Sequence, residues 1–477
     1  MPKLVFSLRI ISPAFVAGGM EEVFRCHRGK PVIRRIIGPG GDGLRIPSLR
    51  GVLRFWFRSM YPGKDLGELK TEEARIFGDT TRGQGLRIIP FCQSPQDWKP
   101  MIISAKYCLT DEVLDTLKTS MGEDAGEVIP RLKQLKNRIF ISKKELEKSL
   151  QKTLSRPLCE KLKREIVNQA EIIGTAAVYL GFGPLMMKSG EATSYHNSGE
   201  RKAIPSGVRF SFRAYGNEQQ IGVLVKCLRL LHLFGGVGSR SRRGWGSVAV
   251  EILEPVDSFL PEWKSGMNIL EWFKEAFDSV WDAQTVFPDV DPPDYSAFSK
   301  NTRIFISQSS WKCAEDTYTQ VFKYFYRAFR KVRIYDMSGN HPKIVQEDLA
   351  IGHDWQKNTP PNNIPHRLAF GMPYVQRFKK GPYVQYDGYP LDKETRRGSP
   401  LILKTFLAPN NSIYAVSLFL KSRFFGDGRK IGTHRHHEDK NLVEMTSWKA
   451  IEGASGTSGF LDHAGEIVPL PIAPKKS

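Results

Sequence analysis

The sequence predicts an α+β protein of two tandem ferredoxin-like domains, the first carrying a helical insertion. Three observations lead there. The first half runs strand, helix, strands, a charged helical stretch, strand, helix, strand; with the charged stretch set aside, this is a βαββαβ order. A second cycle of strand, helix and strands begins near residue 302. The chain has 477 residues, more than one typical core accommodates, so two or more domains are expected. The predicted division is 1–253 for the first domain with its insertion at 110–173, 254–300 for an acidic connector, and 301–477 for the second domain. The halves share no strong identity, so the duplication rests on element order alone.

Each element has a local reason. Residues 4–10 alternate well enough to open the chain as a strand. Residues 12–43 read as a basic loop, broken by Pro13, Gly18, Gly19, Gly29, Pro31 and Gly38 and carrying Arg25, His27, Arg28, Lys30, Arg34 and Arg35. Residues 46–60, IPSLRGVLRFWFRSM, form an amphipathic helix. Leu49, Val52, Leu53, Trp56 and Met60 share one face, and Arg50, Arg54 and Arg58 share another. Ser48 is the expected N-cap, because Pro47 biases Ile46 away from helix. No carboxylate is interleaved on the arginine stripe.

Residues 67–85 read as a polar, turn-rich segment, and 86–91 and 101–109 as short strands. Residues 208–214 (VRFSFRA) alternate cleanly as a strand, 219–234 make a strongly apolar helix, and 245–253 close the unit as a strand. The connector holds one amphipathic helix at 268–283. In the second cycle, 303–308 is a strand and 315–332 a helix with Phe322, Phe325, Tyr326 and Phe329 on one side. Strands at 368–375, 400–407 and 412–420 complete the pattern.

Composition narrows the partner. Hydrophobic residues make up 40% and aromatics 11%, enough for packed cores and unlike a disordered chain. Lys plus Arg number 70 against 50 Asp plus Glu, a net charge of +20, which favours a polyanionic partner. Charge alone does not separate RNA from DNA or an anionic membrane. The cysteines, at 26, 92, 108, 159, 227 and 313, include no CxxC pair and fit free thiols in a reducing cytosol. No leader pattern and no long apolar run is present, so a soluble cytoplasmic chain is expected.

The segment 233–248, LFGGVGSRSRRGWGSV, is the centre of the functional reading. Glycines let a large ligand approach the backbone, exposed N–H groups cup an anion, and arginine offers a planar fork suited to phosphate. Gly235–Gly236–Val237–Gly238 is not a nucleotide fingerprint, since it follows a helix and opens a strand, and no GK[ST] follows. Gly40–Gly41–Asp42–Gly43 lacks the second acidic motif of a metal-binding palm. His434, His436, His437 and Glu438 lack a paired ligand cluster, so neither metal nor cofactor is expected. No hydrolase motif stands in the chain. His232, on an apolar helix, reads as a buried structural histidine; His27 stays open as a general base.

A ferredoxin-like unit whose last helix and last strand are joined by a Gly- and Arg-rich loop resembles the RAMP proteins, RNA-binding components of CRISPR systems. The run LRIPSLRGVLRFWFR at 44–58 is similar to the xIPSLRGxLRxWxR stretch of one RAMP type, the first-numbered subunit of the type III-B (Cmr) effector complex. RLAFGMP at 367–373 and RRGSPL at 396–401 look like that subunit's second domain. The resemblance implies two tandem RAMP folds, no nuclease activity, and a place at the head of the complex, capping the 3′ side of the guide RNA. Its partners would be guide RNA, single-stranded target RNA and other RAMP subunits, in antiviral defence. Candidate RNA-binding residues are Arg45, Ser48, Arg50, Arg54 and Arg58 on the helix, with Gly235, Gly236, Gly238, Ser239, Arg240, Arg242 and Arg243 in the loop. Two other readings stand: a metal-independent RAMP endoribonuclease using His27 on CRISPR repeat RNA, and a protein-only scaffold.

Overall fold

The structure is a computed structural model. It describes residues 3–16, 19–27, 30–38, 43–80, 83, 85–92, 102–104, 106–109, 111–136, 139–140, 143–169, 171–173, 175–181, 185–188, 191–193, 195–196, 199–201, 203–255, 259–281, 287, 293, 295–314, 316–332, 343–356, 364–370, 374–376, 384–389, 398–423, 430–433, 448–454 and 459–468. The chain is a mixed helix-and-sheet protein in which antiparallel pairing dominates. It groups into two compact units, one of residues 1–19, 39–97 and 204–477, the other of residues 20–38 and 98–203.

In the larger unit, the chain forms β1 (Lys3–Ile10), α1 (Ile46–Ser59), α2 (Leu66–Phe77), β2 (Arg87–Cys92), β3 (Arg209–Tyr215), α3 (Glu218–Phe234) and β4 (Val248–Glu254). The sheet order is β4-β1-β3-β2, antiparallel at every pair, which is fourth-first-third-second in chain order. Alternation in β1 and β3 sets the register: Phe6 lies opposite Phe212 and Leu8 opposite Phe210, all buried, with the Phe6 and Phe212 rings stacked at 5.3 Å. Asn217 and Gln220 close a capping box at the start of α3. Trp56 of α1 meets Phe234 of α3 at 6.2 Å, so the two helices bury one aromatic seam.

The second sheet of this unit contains β5 (Arg303–Ile306), β6 (Leu401–Leu407), β7 (Ser412–Phe419) and β8 (Glu466–Ile467). Its order is β8-β5-β7-β6, again fourth-first-third-second, with Trp311–Lys312 paired to the start of β7. Helix α5 (Tyr318–Val332) sits between the first and second strands in sequence, as does Lys343–Gln356. Between β7 and β8 the described helix is only Lys449–Glu452. Tyr374–Gln376, Val384–Tyr389 and Lys430–Thr433 form a separate three-stranded sheet. The helix at Ile269–Asp278 (α4) packs Phe273 and Phe277 on Phe234, at 5.6 and 5.7 Å, and Trp272 on Phe406. The acidic stretch around it therefore supplies core.

The smaller unit has a helical core around Leu114, Leu117, Val128, Leu132, Leu146, Leu150 and Ile166, with short strands in three small sheets. Two of its strands, Gly19–His27 and Lys30–Gly38, stand where a loop was expected over 12–43. The glycines that suggested a loop flank the strands and do not interrupt their interiors.

Three further expectations need correcting. Ser48 is not the N-cap of α1: the helix starts at Ile46 with Arg45 as N-cap and Pro47 in the first turn, where a missing N–H costs nothing. The turn-rich reading of 67–85 overlooked α2, capped by Asp65, whose side chain accepts from Gly67 N and Glu68 N. Residues 366–370 form a 3-10 helix where the start of a strand over 368–375 was expected, and the strand itself is Tyr374–Gln376. Buried Asp348 holds that turn, accepting from His366 N at 2.6 Å, Arg367 N at 3.2 Å and Arg367 Nε at 2.6 Å.

Phe234 touches Trp56, Phe273, Phe277 and Phe298 and is fully buried. Phe234→Ala should destabilise the chain by about 3–5 kcal/mol, and Phe234→Leu by less. Urea denaturation measures this; an unchanged midpoint for Phe234→Ala would contradict the shared aromatic seam.

Candidate nucleic-acid interface

The site is built on the turn between α3 and β4. Its ends are buried and its middle is not. Gly235, Gly236 and Val237 are buried, Gly238 and Arg240 are exposed, Ser239, Ser241, Arg242 and Arg243 are half-buried, and Gly244 to Val248 are buried again. The accessible stretch is thus 238–243.

Backbone crowding explains the glycines. A Cβ at Gly246 (φ +61°) would stand 1.9 Å from the Val237 carbonyl oxygen, and one at Gly238 (φ +83°) 2.6 Å from that of Phe15. These glycines are consumed by close approach of the chain to itself. Val237 N donates to Gly246 O at 2.8 Å, Gly246 N to Pro13 O at 2.9 Å, and Ser239 N to Phe15 O at 2.8 Å. Buried Ser12 donates to Gly244 O at 2.6 Å and accepts from Ser247 N at 2.9 Å. The segment after β1 therefore forms one wall of the turn.

Strand β6 forms the other wall. Leu403 N donates to Arg242 O at 3.0 Å, and Thr405 N to Ser247 Oγ at 3.0 Å. Between them Lys404 is 1% exposed and donates to three carbonyl oxygens: Leu231 at 3.3 Å, Gly235 at 2.5 Å and Val248 at 2.5 Å. No carboxylate among the described residues pairs with it, and burial pushes its pKa well below the usual lysine range. Lys404 escaped the sequence reading. Its signal was a lone lysine inside the apolar run LILKTFL.

The predicted site residues separate into two groups. Arg242 donates through Nη1 to Ser399 O at 2.7 Å and lies 4.8 Å from the Phe55 ring of α1. The loop thus meets α1 at Phe55 and not at the arginine stripe. Arg50 donates to Leu86 O at 2.7 Å, and burial, then Arg54, lowers its pKa. Arg54 donates to Gly78 O and stands 3.5 Å from Glu73, and Arg58 reaches the same carboxylate at 3.0 Å. The stripe does face a carboxylate, supplied by the overlooked α2. Arg45 and Ser48 are exposed at the first turn of α1. Arg240 adopts φ +63°, and Arg243 bridges to Leu403.

His232 is buried and accepts from Val250 N through Nδ1 at 3.0 Å, in keeping with a structural histidine. His27 ends a described strand, but its side chain lies outside the described residues, as do Gly40, Gly41, Asp42, Arg396, Arg397, His434, His436, His437 and Glu438. Among the described residues no group of three or more His, Cys, Asp or Glu stands together to hold a metal, and no helix is long and apolar enough to cross a membrane.

Burial, with a smaller contribution from Lys404, pushes the His232 pKa down to about 3. The unfolded chain therefore binds a proton at this residue that the folded chain refuses between the ordinary histidine value and about 3, so stability falls as pH drops through that window. The loss attributable to His232 is at most about 5 kcal/mol. Denaturation of wild type and His232→Gln across the window isolates it; parallel curves for the two proteins would contradict a neutral buried imidazole.

Comparison with known proteins follows from this geometry. No curated protein sequence matches the chain. Among solved structures, Cmr1 from Pyrococcus furiosus in its apo form is 16% identical, with 89% of each chain covered and a TM-score of 0.40. A chain of the type III-B Cmr-beta complex bound to cognate target RNA is 11% identical, covering 88% of this chain and 95% of its own, with a TM-score of 0.39. The profile of the RAMP superfamily matches residues 7–249, just over half of the chain, and the chain belongs to that superfamily.

Proposed function

We propose that this protein is a non-catalytic RNA-binding subunit of a type III-B CRISPR ribonucleoprotein, made of two tandem ferredoxin-like units. The fourth-first-third-second strand order in both large sheets supports the tandem reading. One observation carries the RNA reading: a Gly238–Arg243 stretch with three arginines, exposed at Gly238 and Arg240 and half-buried elsewhere, held between buried anchors on either side. A fixed backbone that presents an exposed guanidinium fork at Arg240 suits a phosphate chain and reads no base edge. Sequence selection would fall to pairing between guide and target RNA. The chain would sit at the head of a cytoplasmic complex, at the 3′ end of the guide, beside other RAMP subunits and captured single-stranded target.

Within this reading Arg240 is the outward contact and Arg242 the structural one, tied to Ser399 and Phe55. Arg50, Arg54 and Arg58 would contribute field more than direct contact, since each already donates to a carbonyl or to Glu73.

Filter binding of single-stranded RNA to the full chain across a salt series tests the proposal. Arg240→Ala should weaken binding about equally for unrelated sequences and reduce the magnitude of the salt slope by about 0.7. Affinity and slope equal to wild type would overturn the assignment. Discrete cleavage products from CRISPR repeat RNA in EDTA would overturn the non-catalytic reading in favour of the endoribonuclease.

A further inference from the structure

A cavity of about 380 Å³ opens beside the Gly/Arg turn. Arg9, Ile10 and Ile11 at the end of β1 form one side, Ser206 and Gly207 another, and Cys313, Ala314, Thr317 and Tyr318 at the start of α5 the third. It lies wholly within the larger unit. Two contacts join it to the turn: Ile11 N donates to Ser247 O at 2.7 Å, and the Tyr318 ring stands 6.2 Å from that of Trp245.

The lining has a definite chemistry. Ser206 already donates to Ile11 O at 2.8 Å, and Thr317 Oγ1 donates to Lys312 O at 2.9 Å. The Arg9 guanidinium has only a contact of 4.0 Å to Cys313 Sγ and no ion pair among the described residues. Among the described residues that line the cavity none is a carboxylate. A half-buried cation with spare donors calls for an anion, and a half-buried tyrosine ring offers a flat face for a base. The volume sits at the small end of the ~300–1,000 Å³ range of ligand cavities.

We propose that this cavity takes a single unpaired ribonucleotide, with its phosphate on Arg9 and its base against Tyr318. The inference rests on the RNA-binding reading but concerns a separate place on the surface. A strand tracked along 238–243 would be anchored by burying one nucleotide at this point. Such a site adds affinity through stacking on Tyr318 as well as through the salt-dependent contact of Arg9 with the phosphate.

Cys313, half-exposed in the lining, reports on occupancy. The rate of its alkylation by iodoacetamide in the full chain is followed by mass spectrometry. Uridine 5′-monophosphate at about ten times its Kd should slow the reaction about tenfold. Ala314→Phe, which fills the cavity from an exposed position, should abolish that protection while leaving the melting curve unchanged. Rates unaffected by the nucleotide, equal protection by inorganic phosphate alone, or protection that survives in Ala314→Phe would each overturn the inference. If a single-stranded RNA oligonucleotide binds in the filter assay yet leaves Cys313 reactive, the cavity site fails and the RNA reading stands. If the mononucleotide protects Cys313 but no oligonucleotide binds, the cavity site stands and the RNA reading fails.

Discussion

The conformation of the Gly/Arg turn depends on one buried amine. Lys404 leaves β6 and donates to carbonyls at the C-terminus of α3 and the start of β4. The last carbonyls of a helix have no partner within it, and a buried one left unsatisfied costs about 1–3 kcal/mol. A lysine here donates to three carbonyls at once at the negative end of the helix dipole, sharing Leu231 O with Gly235 N, which donates to it at 2.9 Å. The cost is desolvation of the amine, visible in its lowered pKa. The second sheet thus fixes the turn that ends the first βαββαβ sequence.

The same constraint changes what the glycines do. Gly235, Gly236 and Gly246 are buried, and the space beside each is taken by Leu231, Gly246 O and Val237 O respectively. They let the protein's own strands close on the turn, and the exposed portion is the short stretch that remains. Arginines divide in the same way. Arg242 is consumed in positioning, stacked on Phe55 and bonded to Ser399, while Arg240 is exposed in a left-handed conformation. Three arginines adjacent in sequence therefore have different work.

Much of this was legible in the sequence. The strands at β1 and β3 followed from period-two alternation, and α3 from its long apolar run ahead of the Gly/Arg segment. The turn between α3 and β4 was recognisable from composition and order. What failed were local signals overridden by context. Helix α2 looked polar because its apolar positions are sparse, yet Leu69, Ile76 and Phe77 are buried. Missing it hid Glu73, and with it the partner of Arg54 and Arg58. The 3-10 helix at 366–370 depends on Asp348, eighteen residues earlier, and nothing local announces it. Lys404 is the same kind of failure, since its three acceptors lie more than 150 residues away in sequence.

In the proposed function the Gly238–Arg243 stretch follows an RNA backbone. Ultraviolet cross-linking of single-stranded RNA to the full chain, with the linked peptides identified by mass spectrometry, tests this. The peptide containing residues 238–243 should carry RNA, and should do so for unrelated RNA sequences. Cross-links confined to other parts of the chain, with this peptide consistently free, would contradict it.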